Sequence, residues 1–238
     1  AAVTSNGKQI AVVSGIEQLT IMRTSGLAPP RPRAEDEADP SGLDDGLQRL
    51  LVATLAARWT YTSGDVTFDP YRQGVRAAPG PLTAYASSEI HSCNQKAVET
   101  LGLGSEGLRR IPARDDYTLD LVALERQVAA DRASGRLPFC VIATAGTINT
   151  GAIDDLHAIA DFCTRERLWF HVDGAIGAVA VLANNVRASL SGMERADSIA
   201  LDLHKWMHIP FEAGCVIVRD AAAHRDAFAL VPEYLQRE

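Results

Sequence analysis

From Leu82 onward the chain alternates short, continuous apolar runs with segments whose apolar residues recur at helical spacing. Leu82 to Ser87, Phe139 to Thr144, Leu168 to Val172, Ser198 to Leu203 and Cys215 to Val218 are strand-length and largely apolar. Such runs predict strands buried on both faces. Between them, His91 to Leu101 reads as a helix. So does Leu119 to Ala133, with Leu121, Val122, Leu124, Val128 and Ala129 on one face. Asp154-Asp155 open a further helix that turns Leu156, Ile159, Ala160 and Phe162 inward. Strand and helix in strict alternation predict an α/β fold, a mostly parallel sheet with helices on both faces. Upstream, Leu47, Leu50, Leu51 and Leu55 give a helical stripe over Asp44 to Trp59. Residues 1 to 45 read differently. Pro29-Pro30-Arg31-Pro32-Arg33 runs into Ala34-Glu35-Asp36-Glu37-Ala38-Asp39-Pro40, too poor in apolar surface to order itself. The expected organisation is a linker-like or disordered 1–45 and one large domain over 46–238.

In an open parallel sheet, ligands bind outside the carboxyl ends of the strands. His91, Thr147, Asp173 and Lys205 each follow a predicted strand, so all four are expected at one sheet edge. Lys205 sits between His204 and Trp206, and Asp173 lies thirty-two residues upstream at the end of Leu168 to Val172. A lysine amine and an aspartate carboxylate at strand ends are the two protein groups that pyridoxal phosphate needs. The amine forms a Schiff base, and the carboxylate keeps the pyridine nitrogen protonated. Simpler roles stand beside these: a helix cap for Asp173, a surface amine for Lys205, a structural hydrogen bond for His91. Gly174, Ala175, Gly177 and Ala178 tip Asp173 toward the functional role, because small side chains let a flat ring approach the backbone. The hydroxyls and amides of Thr144 to Gly151 suit a pocket wall. His204 and His208 have i, i+4 spacing, but no Glu follows His204 and Pro210 interrupts the segment, so no metal is expected. His157 and His224 read as surface helix residues.

Composition narrows the partners. The 238 residues carry a net charge of −7, with no block of lysine and arginine, which argues against nucleic acid and anionic membrane. The longest uncharged apolar stretch, around Ala175 to Ala183, is too short for a bilayer. The first eight residues lack the pattern of a signal peptide. Cys93, Cys140, Cys163 and Cys215 are widely spaced, which fits buried thiols in a reducing cytoplasm.

His171-Val172-Asp173-Gly174-Ala175 and Asp202-Leu203-His204-Lys205-Trp206 resemble the pyridoxal-phosphate-dependent amino-acid decarboxylases of the aromatic-amino-acid and glutamate decarboxylase group. The likeness runs from about Leu50 to the end. It implies the fold-type I large domain, pyridoxal 5'-phosphate as cofactor and decarboxylation of an L-amino acid, an aromatic one by default. It implies that Lys205 carries the cofactor, Asp173 pairs with the pyridinium, and Ala175 and His91 contact its two faces. His204 would reach the phosphate or the substrate, Asp202 would lie near the phosphate, and Thr147 would line the pocket. Tyr234, in Pro232-Glu233-Tyr234-Leu235, would supply the proton to the substrate carbon. The family's homodimer is expected in the full-length form. Its Gly-Gly-Ser/Thr-Glu-Ala phosphate segment is replaced here by Asp45-Gly46-Leu47-Gln48-Arg49, and its C-terminal small domain has no counterpart. Two other readings stay open. One is a different reaction on the same fold, an aminotransferase or carbon-carbon lyase. The other is an inactive fragment acting as a binding partner.

Overall fold

The longest strand, Leu137 to Thr144, has all eight residues sealed from solvent and is flanked by a parallel strand on each side. The structure is a computed structural model that describes residues 18–22, 61–63, 66–68, 73–211 and 213–228. In chain order the elements are β1 (Gln18–Met22), β2 (Tyr61–Ser63), β3 (Val66–Phe68), β4 (Leu82–Ser87), α1 (Ser92–Thr100), β5 (Leu108–Ile111), α2 (Leu121–Ala133) and β6 (Leu137–Thr144). There follow α3 (Leu156–Glu166), β7 (Trp169–Asp173), β8 (Ser198–Asp202), the single turn α4 (Leu203–Trp206), β9 (Gly214–Val218) and α5 (Ala221–Phe228).

One sheet runs in the order β1-β9-β8-β7-β6-β4-β5, and β2 and β3 pair separately. The stretch from β5 to β8 is parallel throughout. β9 runs antiparallel to β8, and β1 antiparallel to β9. The α/β class predicted from the alternation is what the chain adopts, with an antiparallel pair added at one side.

Side-chain alternation along the strands divides the core in two. Tyr85, Val141, Ala143, Phe170 and Val172 pack with Leu124 and Val128 of α2 and with Leu156, Ile159 and Phe162 of α3. The opposite face sets Ala84, Ala86, Cys140, Ile142 and Trp169 against Val98 of α1. Each large apolar side chain so enclosed contributes about 1.5–3 kcal/mol. The helices start where acidic caps allow. Asp120 accepts from Ala123 N at 3.1 Å, and Asp155 accepts from Ala158 N at 3.0 Å, each satisfying one of the orphan donors of a first turn.

Several expectations are corrected. Residues 18–22 lie inside the stretch read as linker, yet they form β1, because the open edge of β9 offers unpaired backbone groups in register from Gln18↔Val218 to Met22↔Gly214. The rest of 1–45, and the helix expected over 44–59, fall outside the described residues. On α2, Val122 is 64% exposed and Ala129 also faces solvent. The buried positions are Leu124, Val128 and Asp131. Asp131 is buried because the carboxylate accepts from Tyr85 Oη (2.9 Å), Arg109 Nε (3.1 Å) and Gln127 Nε2 (3.0 Å). Asp154 is no helix opener. It sits buried, taking Leu119 N and Thr144 N on its two oxygens, both at 2.7 Å. His224, read as a surface residue, is buried on α5, and desolvation lowers its pKa.

Candidate active site

β4, β6, β7 and β8 are neighbours and mutually parallel, so their carboxyl ends open on one edge. His91 follows β4, Thr147 follows β6, Asp173 closes β7, and Lys205 lies in α4 directly after β8. The convergence expected for these four residues is therefore a consequence of topology.

Asp173 is set by register: it pairs with Thr144 on one side and Ala200 on the other. Its carbonyl accepts from Ala145 N at 2.8 Å, and Gly174 N donates to Ala200 O at 2.9 Å. The side chain is 4% exposed. Its Oδ2 accepts from Asn94 Nδ2 at 3.0 Å, and Oδ1 receives a longer contact from Ala175 N at 3.4 Å. Ala175 also couples the two strand ends, its carbonyl facing Asp202 N at 3.4 Å. Lys205 Nζ is 2.6 Å from Asp202 Oδ2; the lysine side chain is 24% exposed and that of Asp202 1%. The ion pair thus holds the amine at the site and neutralises a buried carboxylate.

His204 is oriented by the loop that returns toward β9. Its Nδ1 meets both the amide N and the carbonyl O of Ala213 at 3.2 Å, so the Ala213 backbone orients the ring whichever nitrogen carries the proton. Phe211 meets the ring edge-on with centroids 4.9 Å apart. Nε2 is buried and has no hydrogen-bond partner among the described residues, and the same is true of Thr144 Oγ1. Two orphaned polar atoms at one sheet edge are what a polar ligand would satisfy. His91 occupies the N-cap of α1 without capping it, and its Nδ1 contacts Cys93 Sγ. Thr147 is buried, but its hydroxyl is engaged within the loop, by Thr150 Oγ1 at 2.6 Å and Ala152 N at 3.1 Å. His208 has φ of 54° beyond the end of α4 and does not share a helix face with His204. Tyr234 lies outside the described residues.

Two of the small residues after Asp173 have a purpose other than admitting a ring. A Cβ on Gly177 would fall inside contact distance of Ala145 O, and one on Gly174 would lie 2.5 Å from Ala178 Cβ. These glycines let the chain pack against itself beneath the site.

The family described as the pyridoxal-dependent decarboxylase conserved domain matches residues 40–238. The chain belongs to the pyridoxal-dependent decarboxylase family. Its relatives include the aromatic-L-amino-acid decarboxylase of Bacillus atrophaeus, 40% identical over 84% of this chain and 39% of that protein. The cysteine sulfinic acid decarboxylase of Mus musculus is 40% identical over 65% of this chain and 31% of its own length. The crystal structure of mouse CSAD superposes with a TM-score of 0.71, at 35% identity, over 77% of this chain and 37% of that one. The chain thus spans between three and four tenths of the length of these relatives.

Within this pyridoxal-dependent decarboxylase domain, sequence reasoning missed two participants, Asn94 and Ser198. Asn94 is a buried polar residue on the apolar face of α1, beside Cys93, Ala97 and Val98, and that mismatch was its available signal. Thr144 was legible only as one hydroxyl of the Thr144 to Gly151 stretch read as a pocket wall. Ser198 accepts from Trp169 Nε1 at 2.8 Å and lies 3.0 Å from His171 Nδ1, a link that depends on strand register and leaves no trace in spacing.

Proposed function

We propose that this chain is the cofactor-binding core of a pyridoxal 5'-phosphate-dependent decarboxylase that removes carbon dioxide from an L-amino acid, with an aromatic amino acid as the first substrate to test. The observation that carries this reading is the delivery of a buried carboxylate, Asp173, and an amine, Lys205, to the ends of two adjacent parallel strands. The orphaned His204 Nε2 and Thr144 Oγ1 fit a polar, phosphate-bearing group at the same edge.

Bound pyridoxal phosphate supplies an electron sink for the carbon that loses carbon dioxide. Lys205 would hold it through Nζ, the amine that the ion pair with Asp202 keeps at this edge. Asp173 holds the proton on the pyridine nitrogen, and its burial makes that charge pairing stronger than it would be in water. His204 would present Nε2 toward a phosphate or carboxylate oxygen. Asp202 keeps Lys205 Nζ at the site through their ion pair. His91 and Ala175 would contact the ring, Thr147 would shape the loop that walls the pocket, and Tyr234 would be the proton donor to the substrate carbon.

The working form is a homodimer. Trp206, Met207, Ile209 and Phe211 are each at least 40% exposed in the segment after Lys205, and a second copy of this chain is the occupant proposed for that apolar run. The four unpaired cysteines support a cytoplasmic setting. Among the described residues no helix is long and apolar enough to cross a membrane.

The test is a titration of the full chain with pyridoxal phosphate, followed by visible absorbance, with carbon dioxide release then measured over aromatic amino acids and cysteine sulfinate. Saturable binding that disappears in Lys205→Ala, followed by release from at least one substrate, is expected. Absence of a saturable band, or keto-acid formation in place of carbon dioxide, would overturn the reading.

A further inference from the structure

Asn94 is costly where it sits. It lies in the first turn of α1, 2% exposed, on the face shared with Cys93, Ala97 and Val98. Asparagine is a weak helix former, and a buried amide must find partners for its donors and acceptor. Its Nδ2 finds Asp173 Oδ2 at 3.0 Å, seventy-nine residues away, and reaches His91 O at 3.4 Å. Both neighbours are acceptors, a carboxylate and a carbonyl, so the amide nitrogen and not the oxygen must face them. One side chain thereby ties the start of α1 to the end of β7.

The geometry points to Asn94 as a positioning residue for Asp173: its amide donates to the carboxylate, fixes the plane in which the carboxylate is presented, and stabilises the ionised form that must hold the pyridine-nitrogen proton. This role rests on the proposed cofactor reading. Neutral Asn94 suits it better than a charged donor would. A lysine or arginine here would compete with the cofactor nitrogen for the same carboxylate, whereas an amide leaves the negative charge in place. Around Asp173 the titratable groups at this edge are His171 on its own strand, His91 at the start of α1, and Asp202, His204 and Lys205 at the end of β8. All of them remain in any Asn94 variant, so a difference from wild type reports the amide.

The experiment uses the full chain with Asn94→Leu and the isosteric Asn94→Asp. It records thermal unfolding without cofactor, affinity for pyridoxal phosphate by absorbance, and the pH dependence of that affinity. Asn94→Leu should bind the cofactor about tenfold or more weakly, the loss expected for one hydrogen bond to a charged group, and should lower kcat more than it raises KM. Asn94→Asp should bind nearly as wild type at low pH, where a protonated carboxyl still donates. Its affinity should then fall about tenfold or more as pH rises and two carboxylates confront each other. If both variants keep wild-type affinity and wild-type pH dependence while only their unfolding temperatures drop, Asn94 is a packing residue and the role is overturned. If wild-type protein shows no saturable binding, the functional reading fails first and takes this role with it.

Discussion

Gly177→Ala separates two reasons for a small residue beneath the site. Gly177 has φ −95° and ψ −13°, a conformation open to any L residue, so substitution strains no backbone dihedral. The added methyl would intrude on Ala145 O and lie 2.9 Å from the Ala145 carbonyl carbon and 3.3 Å from Gly146 N. All three are backbone atoms that cannot rotate away. Relief requires the segment after β7 and the loop after β6 to part, at an overpacking cost of about 1–3 kcal/mol. The same movement weakens the Gly177 N to Ala145 O hydrogen bond, now 3.0 Å, which adds about 0.5–1.5 kcal/mol. Against this, replacing glycine stabilises by about 0.4–1 kcal/mol through the unfolded chain. The balance is a loss of about 0.5–4 kcal/mol, centred near 2. At the centre of that range, Tm for a chain of this size falls by about 4–8 °C. The assay is thermal unfolding of the protein in the absence of any cofactor, followed by circular dichroism. If the glycine existed only to admit a ring, unfolding of the cofactor-free protein would be unchanged and cofactor affinity alone would fall. An unchanged or raised Tm would refute the packing explanation.

The other predictions concern charge and burial. Burial pushes the pKa of Asp154 up from 3.8 to about 6. With the folded value above the unfolded one, its stabilising contribution is complete below pH 3.8 and disappears as pH climbs through about 6. A shift of that size corresponds to roughly 3 kcal/mol. Wild-type chemical-denaturation midpoints should therefore fall more steeply across this window than those of Asp154→Asn, and parallel curves would count against it. Tyr85→Phe deletes the hydroxyl that donates to Asp131 Oδ2 at 2.9 Å in a fully buried setting. It should cost about 1–2 kcal/mol in urea unfolding, and a neutral result would show that Arg109 and Gln127 satisfy Asp131 unaided. Lys205→Ala leaves Asp202, 1% exposed, without the ammonium 2.6 Å away. Cofactor-free Lys205→Ala should melt below wild type and Lys205→Arg should recover part of the loss; equal melting of all three would refute a stabilising ion pair.

The parts of the fold legible in the sequence were those whose burial is uniform. β4, β6 and β7 are sealed along their whole length, and a strand enclosed on both faces shows as an unbroken apolar run. β5 escaped because Arg109 and Arg110 occupy its middle and only Leu108 and Ile111 are buried. Arg109 is accommodated there by a salt bridge to Asp131 at 3.1 Å, a partner twenty-two residues away that no local pattern reveals. β1 escaped for a related reason: its pairing answers the free edge of β9, which lies at the other end of the chain. On α2 the stripe was misjudged at Val122 and Ala129 because hydrophobicity alone was followed. The true inward face includes Asp131, which only its hydrogen bonds make tolerable in the core.

The site divides along the same line. Residues that follow strand ends were predictable, since a parallel sheet gathers them at one edge whatever their identities. Residues that orient them were not, because orientation is set by register between strands and by helix-to-sheet contacts. Asp173 is the clearest case. Its place comes from being the last residue of β7, legible in a run of five letters, whereas its hydrogen bond to Asn94 exists only because α1 lies against the sheet face that Cys140, Ile142 and Trp169 build. The glycines after Asp173 show the converse. Their presence was legible, but the reason attached to them changed once Ala145 and Ala178 were found in the space a side chain would need. Small residues at a strand end therefore signal crowding before they signal a ligand. The crowding comes from backbone atoms at Gly177 and from the Ala178 Cβ at Gly174, none of which can rotate away, and such a floor suits a carboxylate that must meet a single ring nitrogen.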